Sequence, residues 1–318
     1  MSDLPLIQAD RAVPPPAATT PKGGRGRRLR LLSRTDRVVI TLMVLVPLLL
    51  VAGLVWLPAV ATVLLSGTNW DGIGPVSEIE WVGLKNYDDV VNIYPPFVPA
   101  VQNNLLWLAA LFVVATPFGM FLAVLLDKEI RGSRFYQTAL YLPVVLSLAL
   151  IGFVWQLIYS RDQGLLNGVF GGETDWYGDP NVNIWAVLVA AGWRHVGYIM
   201  LLYLAGLKGV DPSLREAAAV DGSSETSTFF RVVFPVMRPI NIIVLVVTVI
   251  ESLRAFDLVW VINKGRNGLE LISALVTQNV VGEASRIGFG SALATIMLAV
   301  SLVFITIYLW TVMREGKR

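Results

Sequence analysis

Apolar residues along this chain come in long unbroken runs, not in the alternating or one-in-three patterns of a soluble fold. Six runs, 38–66, 103–126, 135–159, 183–207, 240–263 and 287–313, reach the roughly 20 residues that a helix needs to cross a bilayer. The first, second, third and sixth carry no charged side chain. Buried helices of a large soluble protein do not explain uncharged runs of this length that recur along a chain. The pattern predicts an all-α, polytopic membrane protein with six transmembrane helices. Between the fourth and fifth runs lies a polar stretch, 208–239, with the sequence of a helix, a turn and a second helix. Glu216, Ala217 and Ala218 open a short helix, Asp221 and Gly222 break it, and an amphipathic run leads through Pro235 and Pro239 back to the membrane.

Composition sharpens this picture. Hydrophobic residues make up 55% of the 318 positions and charged residues 15%, with a mean hydropathy of +0.65, which places the chain in a bilayer. The net charge of +2 is a cancellation between two faces and offers nothing to nucleic acid. Cytoplasmic loops hold the lysines and arginines, and the tail before the first run carries Arg11, Lys22, Arg25, Arg27, Arg28, Arg30, Arg34 and Arg37. The N-terminus is therefore expected inside. The acidic first and third loops read as outside, and Lys128, Arg131 and Arg134 place the second loop inside. Alternation then puts the hairpin and the tail of Arg314, Lys317 and Arg318 in the cytoplasm, making a multi-pass protein of the bacterial inner membrane with both termini cytoplasmic. Residues 1–36, rich in Pro, Gly and Arg, lack an apolar stripe and are expected to be a disordered basic tail, either solvated or in contact with anionic lipid headgroups. Residues 37–318 form the membrane domain. Ala59-Val60-Ala61 has the small-x-small form of a cleavage site, but the apolar stretch before it exceeds the ~7–15 residues of a signal peptide's core, so the first helix reads as an uncleaved anchor.

Several chemistries are missing from the sequence. Without cysteine there is no disulfide framework or thiolate metal site, and His195 is the sole histidine, which excludes a His-pair metal centre. No G-x-x-x-x-G-K-[ST] loop is present to bind ATP and no G-x-S-x-G to carry a nucleophile. The chain is therefore expected to be non-catalytic, without a cofactor or metal of its own, and to draw energy from a partner.

The hairpin, EAAAVDGSSETSTFFRVVFPVMRP, resembles the EAA loop of binding-protein-dependent ABC importer permeases, with Glu216, Ala217, Ala218, Asp221, Gly222 and Pro235 in register. Ser223 replaces the usual alanine, and Val232 and Phe234 replace common isoleucine and leucine. Upstream, WVGLKNYDDV (81–90) is similar to the F-x-G-L-x-N-Y segment of carbohydrate-type permeases, and Asn103, Trp193, the AGL at 205–207 and GFGSA at 288–292 extend the likeness over nearly everything after residue 37. The resemblance implies that the hairpin docks in a cleft of an ATPase subunit, with Glu216 pairing a basic residue there. Gly222 would supply the tight turn, and Pro235 and Pro239 would end the hairpin and set the angle at which helix five begins. The plainer alternative is an amphipathic connector on the membrane surface, with Glu216 and Arg215 solvated. The partners implied are a second, related permease forming a heterodimer, two ATP-binding subunits that use ATP and Mg, and an extracytoplasmic solute-binding protein.

Charges inside a span cost at least ~2.5 kcal/mol each, so they face protein or a water-filled path. Glu251, Arg254 and Asp257 recur at i, i+3 and i+6 in helix five, with Glu251 roughly 16 Å from Ile240 along the helix, near mid-bilayer. Helix four carries Trp193, Arg194, His195 and Tyr198. In sugar-importing relatives these two helices line the cavity. Trp193, Tyr198 and Phe256 could offer rings to pyranose faces, and Arg194, Glu251, Ser252, Arg254 and Asp257 could bond hydroxyls. A structural chain of ion pairs among Glu251, Arg254 and Asp257 explains the charges equally, and His195 reads as a packing or hydrogen-bonding residue. Pro117 and Pro143 are expected to kink helices two and three. Trp107, Trp155 and Tyr159 fit interfacial anchoring, packing or cavity lining alike. After helix five, NKGRNG (263–268) replaces the T-x-G-G-P of many sugar permeases, which leaves the particular solute open.

The expectation is thus a permease subunit of an ATP-driven importer for a sugar or oligosaccharide. Competing readings are the same architecture importing a glycerophosphodiester or other polar solute, which Arg194 and Arg254 would suit, a proton-coupled secondary transporter using Glu251 or Asp257, and an intramembrane enzyme.

Overall fold

In the computed structural model, which describes residues 33–128, 131–282 and 285–315, helix follows helix, with no strand among the described residues. The basic tail through residue 32, Lys317 and Arg318 lie outside the described residues. The chain divides into two compact units, Met1–Leu57 and Pro58–Arg318. Helix α1, Thr35–Leu65, begins in the first of them. Ser33 caps its start: the Asp36 amide donates to Ser33 Oγ at 3.1 Å and the Ser33 amide donates to Asp36 Oδ2 at 3.0 Å. This reciprocal box fixes helical structure at 34–36, where the tail was expected to continue.

The second unit holds α2 (Phe97–Asp127), α3 (Ser133–Val145), α4 (Leu148–Ile158), α5 (Leu165–Phe170), α6 (Asn183–Lys208), α7 (Pro212–Val220), α8 (Glu225–Val236), α9 (Arg238–Leu253), α10 (Asp257–Asn263), α11 (Ile272–Val280) and α12 (Ile287–Glu315). Among the described residues four helices, α1, α2, α6 and α12, are long and apolar enough to cross a membrane singly, and up to six spans result if each bent pair counts as one.

Helix α6 is the most buried of these four, and its burial rests on small residues that let backbones approach. A Cβ on Gly197 would lie 2.2 Å from the Leu140 carbonyl oxygen of α3, and one on Gly119 of α2 would lie 2.9 Å from Val196 O. The N-terminal half of α6 packs with α4, α10 and α11, and its C-terminal half with α2 and α9. Elsewhere the 81–90 segment closes the end of α1: buried Asn86 donates to Ser66 O at 2.8 Å and to Thr68 O at 2.7 Å, and Tyr87 Oη lies 2.6 Å from Ser66 Oγ. Those carbonyls follow the last helical turn and would otherwise lack donors.

Pro117 stands within α2, where a wide π turn over Ala110–Ala115 precedes it. Two expectations about continuity need correction. The run 135–159 is not one helix. Pro143 is followed by the end of α3 at Val145, a turn of 104°, and a fresh start at Ser147, whose Oγ accepts from the Leu150 amide at 3.2 Å. Likewise the run 240–263 is interrupted over Arg254–Phe256, so Glu251, Arg254 and Asp257 do not share a continuous helical face.

Candidate functional site

The interruption at 254–256 opens a cavity. It is walled by Trp107 and Leu111 of α2, Leu148 at the start of α4, Ala191, Arg194 and His195 of α6, Glu251 of α9, and the turn itself with Asp257 and Leu258. Its volume is about 40 Å³, room for roughly three water molecules and far below the ~300 Å³ of a small-molecule site. On this chain alone the cavity is therefore a closed seam or one wall of something larger.

Charge and hydrogen bonding are arranged in layers. Arg194 Nη1 lies 3.3 Å from Glu251 Oε2, joining α6 to α9, and Arg194 Nε is buried without a partner. Arg254 and Asp257 are exposed at the turn. Deeper lies a triangle of polar groups: His195 Nε2 to Thr248 Oγ1 at 3.1 Å, Thr116 Oγ1 to Thr248 Oγ1 at 3.3 Å, and Thr116 Oγ1 to His195 Nε2 at 3.4 Å. Thr248 Oγ1 also lies 2.8 Å from Val244 O, so its hydroxyl is shared between the backbone of α9 and this triangle. The backbone freed at the break is also provided for. Asn104 donates to Ser252 O at 3.3 Å and Ser273 Oγ donates to Ala255 O at 2.5 Å. Asn103 holds the following loop through Gly268 O and Glu270 O, both at 2.9 Å. In that loop Lys264 and Asn267 take positive φ, 58° and 54°, and Asn263 Oδ1 accepts from the Gly265 amide at 3.1 Å.

Of the residues read from sequence as a solute site, Arg194, Glu251, Arg254, Phe256 and Asp257 meet at the cavity. Trp193, Tyr198 and Ser252 do not. Trp193 turns outward, 39% exposed, with its ring edge on Trp155 at 5.9 Å. Tyr198 packs into the α2–α6–α9 cluster, and Ser252, 1% exposed, donates to Thr248 O at 2.7 Å. Of the ion pairs read between helices for Glu251, Arg254 and Asp257, the one at Glu251 is made with Arg194 of α6. Trp107 proves to be a wall of the cavity, whereas Trp155 and Tyr159 pack together, rings tilted by 35° with centroids 5.0 Å apart, within an aromatic cluster. Sequence reasoning missed Thr116 and Thr248. Buried hydroxyls inside apolar runs were the available signal.

The polar hairpin forms a second constellation. Asp211 Oδ1 accepts from the Ser213 amide at 2.9 Å and Pro212 fills the first turn of α7, so the helix starts four residues before Glu216, its expected opening. At the other end the Gly222 amide donates to Ala219 O and the Ser223 amide to Ala218 O, both at 3.0 Å, with Gly222 at φ 75°. That is a Schellman closure, which uses the backbone of Ser223 and is indifferent to its side chain. Glu216, Ala217, Asp221 and Pro235 are exposed, and Ala218 is buried. Pro235 lies inside α8, after another π turn at Phe229–Val233. The hairpin ends instead at Met237, where the chain bends by 77° between α8 and the helix that begins at Arg238, with Pro239 in that helix's first turn. Arg215 is not merely solvated: Nη1 lies 2.8 Å from Asp127 Oδ2 and Nη2 donates to Leu207 O at 3.3 Å. Lys128 Nζ pairs with Glu225 Oε2 at 2.5 Å and holds that carboxyl below its ordinary range.

These features define a helical membrane protein, with a small polar seam among its long apolar helices and an exposed polar hairpin between two of them. The family described as binding-protein-dependent transport system inner membrane component matches residues 115–314, and the chain belongs to it. A probable ABC transporter permease protein of Pyrococcus horikoshii is 30% identical over 274 residues, 84% of this chain and 93% of that protein. The xylose/arabinose import permease protein XacH of Haloferax volcanii is 31% identical over 260 residues, covering 79% and 81% of the two chains. Among solved structures, a chain of a bacterial ABC transporter involved in the import of the acidic polysaccharide alginate superposes with a TM-score of 0.75 at 17% identity, over 88% of this chain and 96% of that one. The shared fold is that of an ABC permease.

Proposed function

We propose that this chain is one membrane-spanning half of an ATP-driven importer for a sugar or oligosaccharide. It crosses the membrane six times, α3 with α4 and α9 with α10 each counting as one span, and α7 with α8 forms the coupling hairpin. The observation that carries the reading is the cavity at the broken helix, where Arg194, Glu251, Arg254, Asp257, Phe256 and Trp107 converge. Fixed polar groups beside apolar rings suit a solute with many hydroxyls and apolar faces. A volume of about 40 Å³ is too small for a pyranose, which supports a second, related permease completing the pathway. Two ATP-binding subunits, using ATP and Mg, would bind the hairpin through Glu216, Ala217, Ala218, Asp221, Gly222 and Pro235, while an extracytoplasmic binding protein delivers the solute. Both termini lie in the cytoplasm in this arrangement. Two arginines at the cavity, Arg194 and Arg254, favour a phosphate-bearing solute as the second reading.

A mild-detergent pull-down tests the assembly: the tagged wild-type chain recovers an ATPase and a second permease, and deletion of 216–222 loses the ATPase. A lone wild-type chain sinks the importer reading. Calorimetry of the partner binding protein with neutral oligosaccharides and glycerophosphodiesters separates the solute classes, and binding only the latter overturns the sugar assignment.

A further inference from the structure

Arg215 stands one residue before the exposed Glu216, yet its guanidinium turns inward and reaches the ends of two spans. It lies 2.8 Å from the carboxylate of Asp127, the last residue of α2, and 3.3 Å from the carbonyl of Leu207 in the last turn of α6. Both helix ends present their negative pole, and Asp127 adds a full charge where a helix C-terminus disfavours one. A forked cation answers both in a single geometry that an ammonium cannot reproduce. The chain linking α6 to α7 is only 209–211, and this fork adds a side-chain tie between the hairpin's first helix and the ends of both spans.

From Asp127 the route inward is short. Thr116 lies eleven residues back along α2, about 16 Å at the helical rise, in the triangle with His195 and Thr248 beneath the cavity. Between them α2 and α6 are pressed together at Gly119, against Ile199 and Val196. Displacement of α7 therefore has a packed path to the cavity through both spans. The exposed Lys128–Glu225 pair ties α8 to the same end of α2, and its exposure makes it the weaker tether.

We infer that Arg215 is a positioning residue for coupling: it clamps the hairpin to the cytoplasmic ends of α2 and α6, so that force applied at Glu216 moves both spans and the cavity they wall. The inference rests on the proposed docking of an ATPase at the hairpin.

The absence of cysteine from the chain allows a test that needs no knowledge of the solute. In the purified full assembly in proteoliposomes, a single Leu148→Cys reporter at the cavity is labelled with a maleimide, with and without ATP and vanadate. Nucleotide is expected to change the labelling rate in the wild-type background. Asp127→Asn and Arg215→Gln should each reduce that change on the order of fivefold while the ATPase still co-purifies. The double variant should lose no more than the worse single one, because both remove the same tie. Arg215→Lys, which keeps the charge and loses the fork, should fall between, and it carries the test if Arg215→Gln does not accumulate in the membrane. A wild-type response in the single variants, or losses that multiply in the double variant, overturns the clamp. Failure of the wild-type chain to recover an ATPase overturns the docking reading and the clamp with it.

Discussion

Replacing Glu251 by Gln removes one charge from the Arg194–Glu251 pair while keeping its size, and the outcome follows from the geometry. At 3.3 Å the Coulomb attraction is about 5 kcal/mol for an effective dielectric near 20. Opposing it is a desolvation cost of several kcal/mol per ion, about 3 or more each, so the pair as a whole sits near break-even. The single variants are different. Glu251→Gln strands an arginine whose side chain is 23% exposed and whose Nε already lacks a partner. A fully buried orphan costs about 3–5 kcal/mol, and partial exposure reduces this to about 2 kcal/mol. Arg194→Gln strands a carboxylate that is 40% exposed, at about 1 kcal/mol on the same reasoning. The double variant returns close to wild-type stability. Thermal unfolding of the purified assembly in detergent measures the cycle, and the expected order is Glu251→Gln below Arg194→Gln, with the double variant above both. Additive losses would refute the account of the pair. Transport supplies an independent readout, because all three variants alter the cavity wall. A double variant that is stable and transports normally would remove this cavity from the solute path.

Gly197→Ala sets a new methyl 2.2 Å from Leu140 O, and forcing α3 and α6 apart should cost about 1–3 kcal/mol, partly offset by the ~1 kcal/mol that alanine gains over glycine in a helix. Gly192→Ala on the same helix meets nothing within 4 Å and should leave stability unchanged or raised, so equal melting temperatures for the two variants would contradict the packing described. The Glu225 carboxyl is held below its ordinary value of 4.5 by Lys128. A depressed folded pKa means that the tether is fully present above the unfolded value and is lost as pH falls through the folded one. Co-purification of the ATPase should therefore respond equally to Glu225→Gln at pH 6 and pH 8, and a response confined to one of those pH values would show that another group governs the tether.

Four long apolar helices were legible, with ends within about six residues of the observed ones. The runs 38–66, 103–126, 183–207 and 287–313 correspond to Thr35–Leu65, Phe97–Asp127, Asn183–Lys208 and Ile287–Glu315, because length and hydropathy suffice for a helix that crosses unaided. Hydropathy is blind to a break, since an apolar run reads alike whether straight or bent. Pro143 with Ser147, a proline followed by a capping hydroxyl, did mark the turn of 104°. Asp211-Pro212 marked the start of α7 in the same way, as a cap and a first-turn proline. Arg254–Phe256 carried no such punctuation. The site was half legible for a related reason. Trp193 and Ser252 each neighbour a cavity residue, Arg194 and Glu251, but lie about 100° around the helix from it, and Tyr198 lies a turn further along, in a different packing cluster.

The unmarked break is where the chemistry lies. Inside a membrane a helix cannot end without leaving carbonyls that no lipid can satisfy, so irregular backbone survives only against protein or water. Here Asn104 and Ser273 supply the donors to Ser252 O and Ala255 O, and Asn104 Oδ1 also accepts the Ile272 amide at 3.1 Å. The interruption is therefore a built feature held from α2 and α11. Its position beside Arg194, Glu251, Arg254 and Asp257 has the same physical origin as the placement of those charges: each requires a polar, protein-lined path at that depth. Charge clustering in an apolar run was the one sequence signal for the break, and it is also the signal for the proposed solute path.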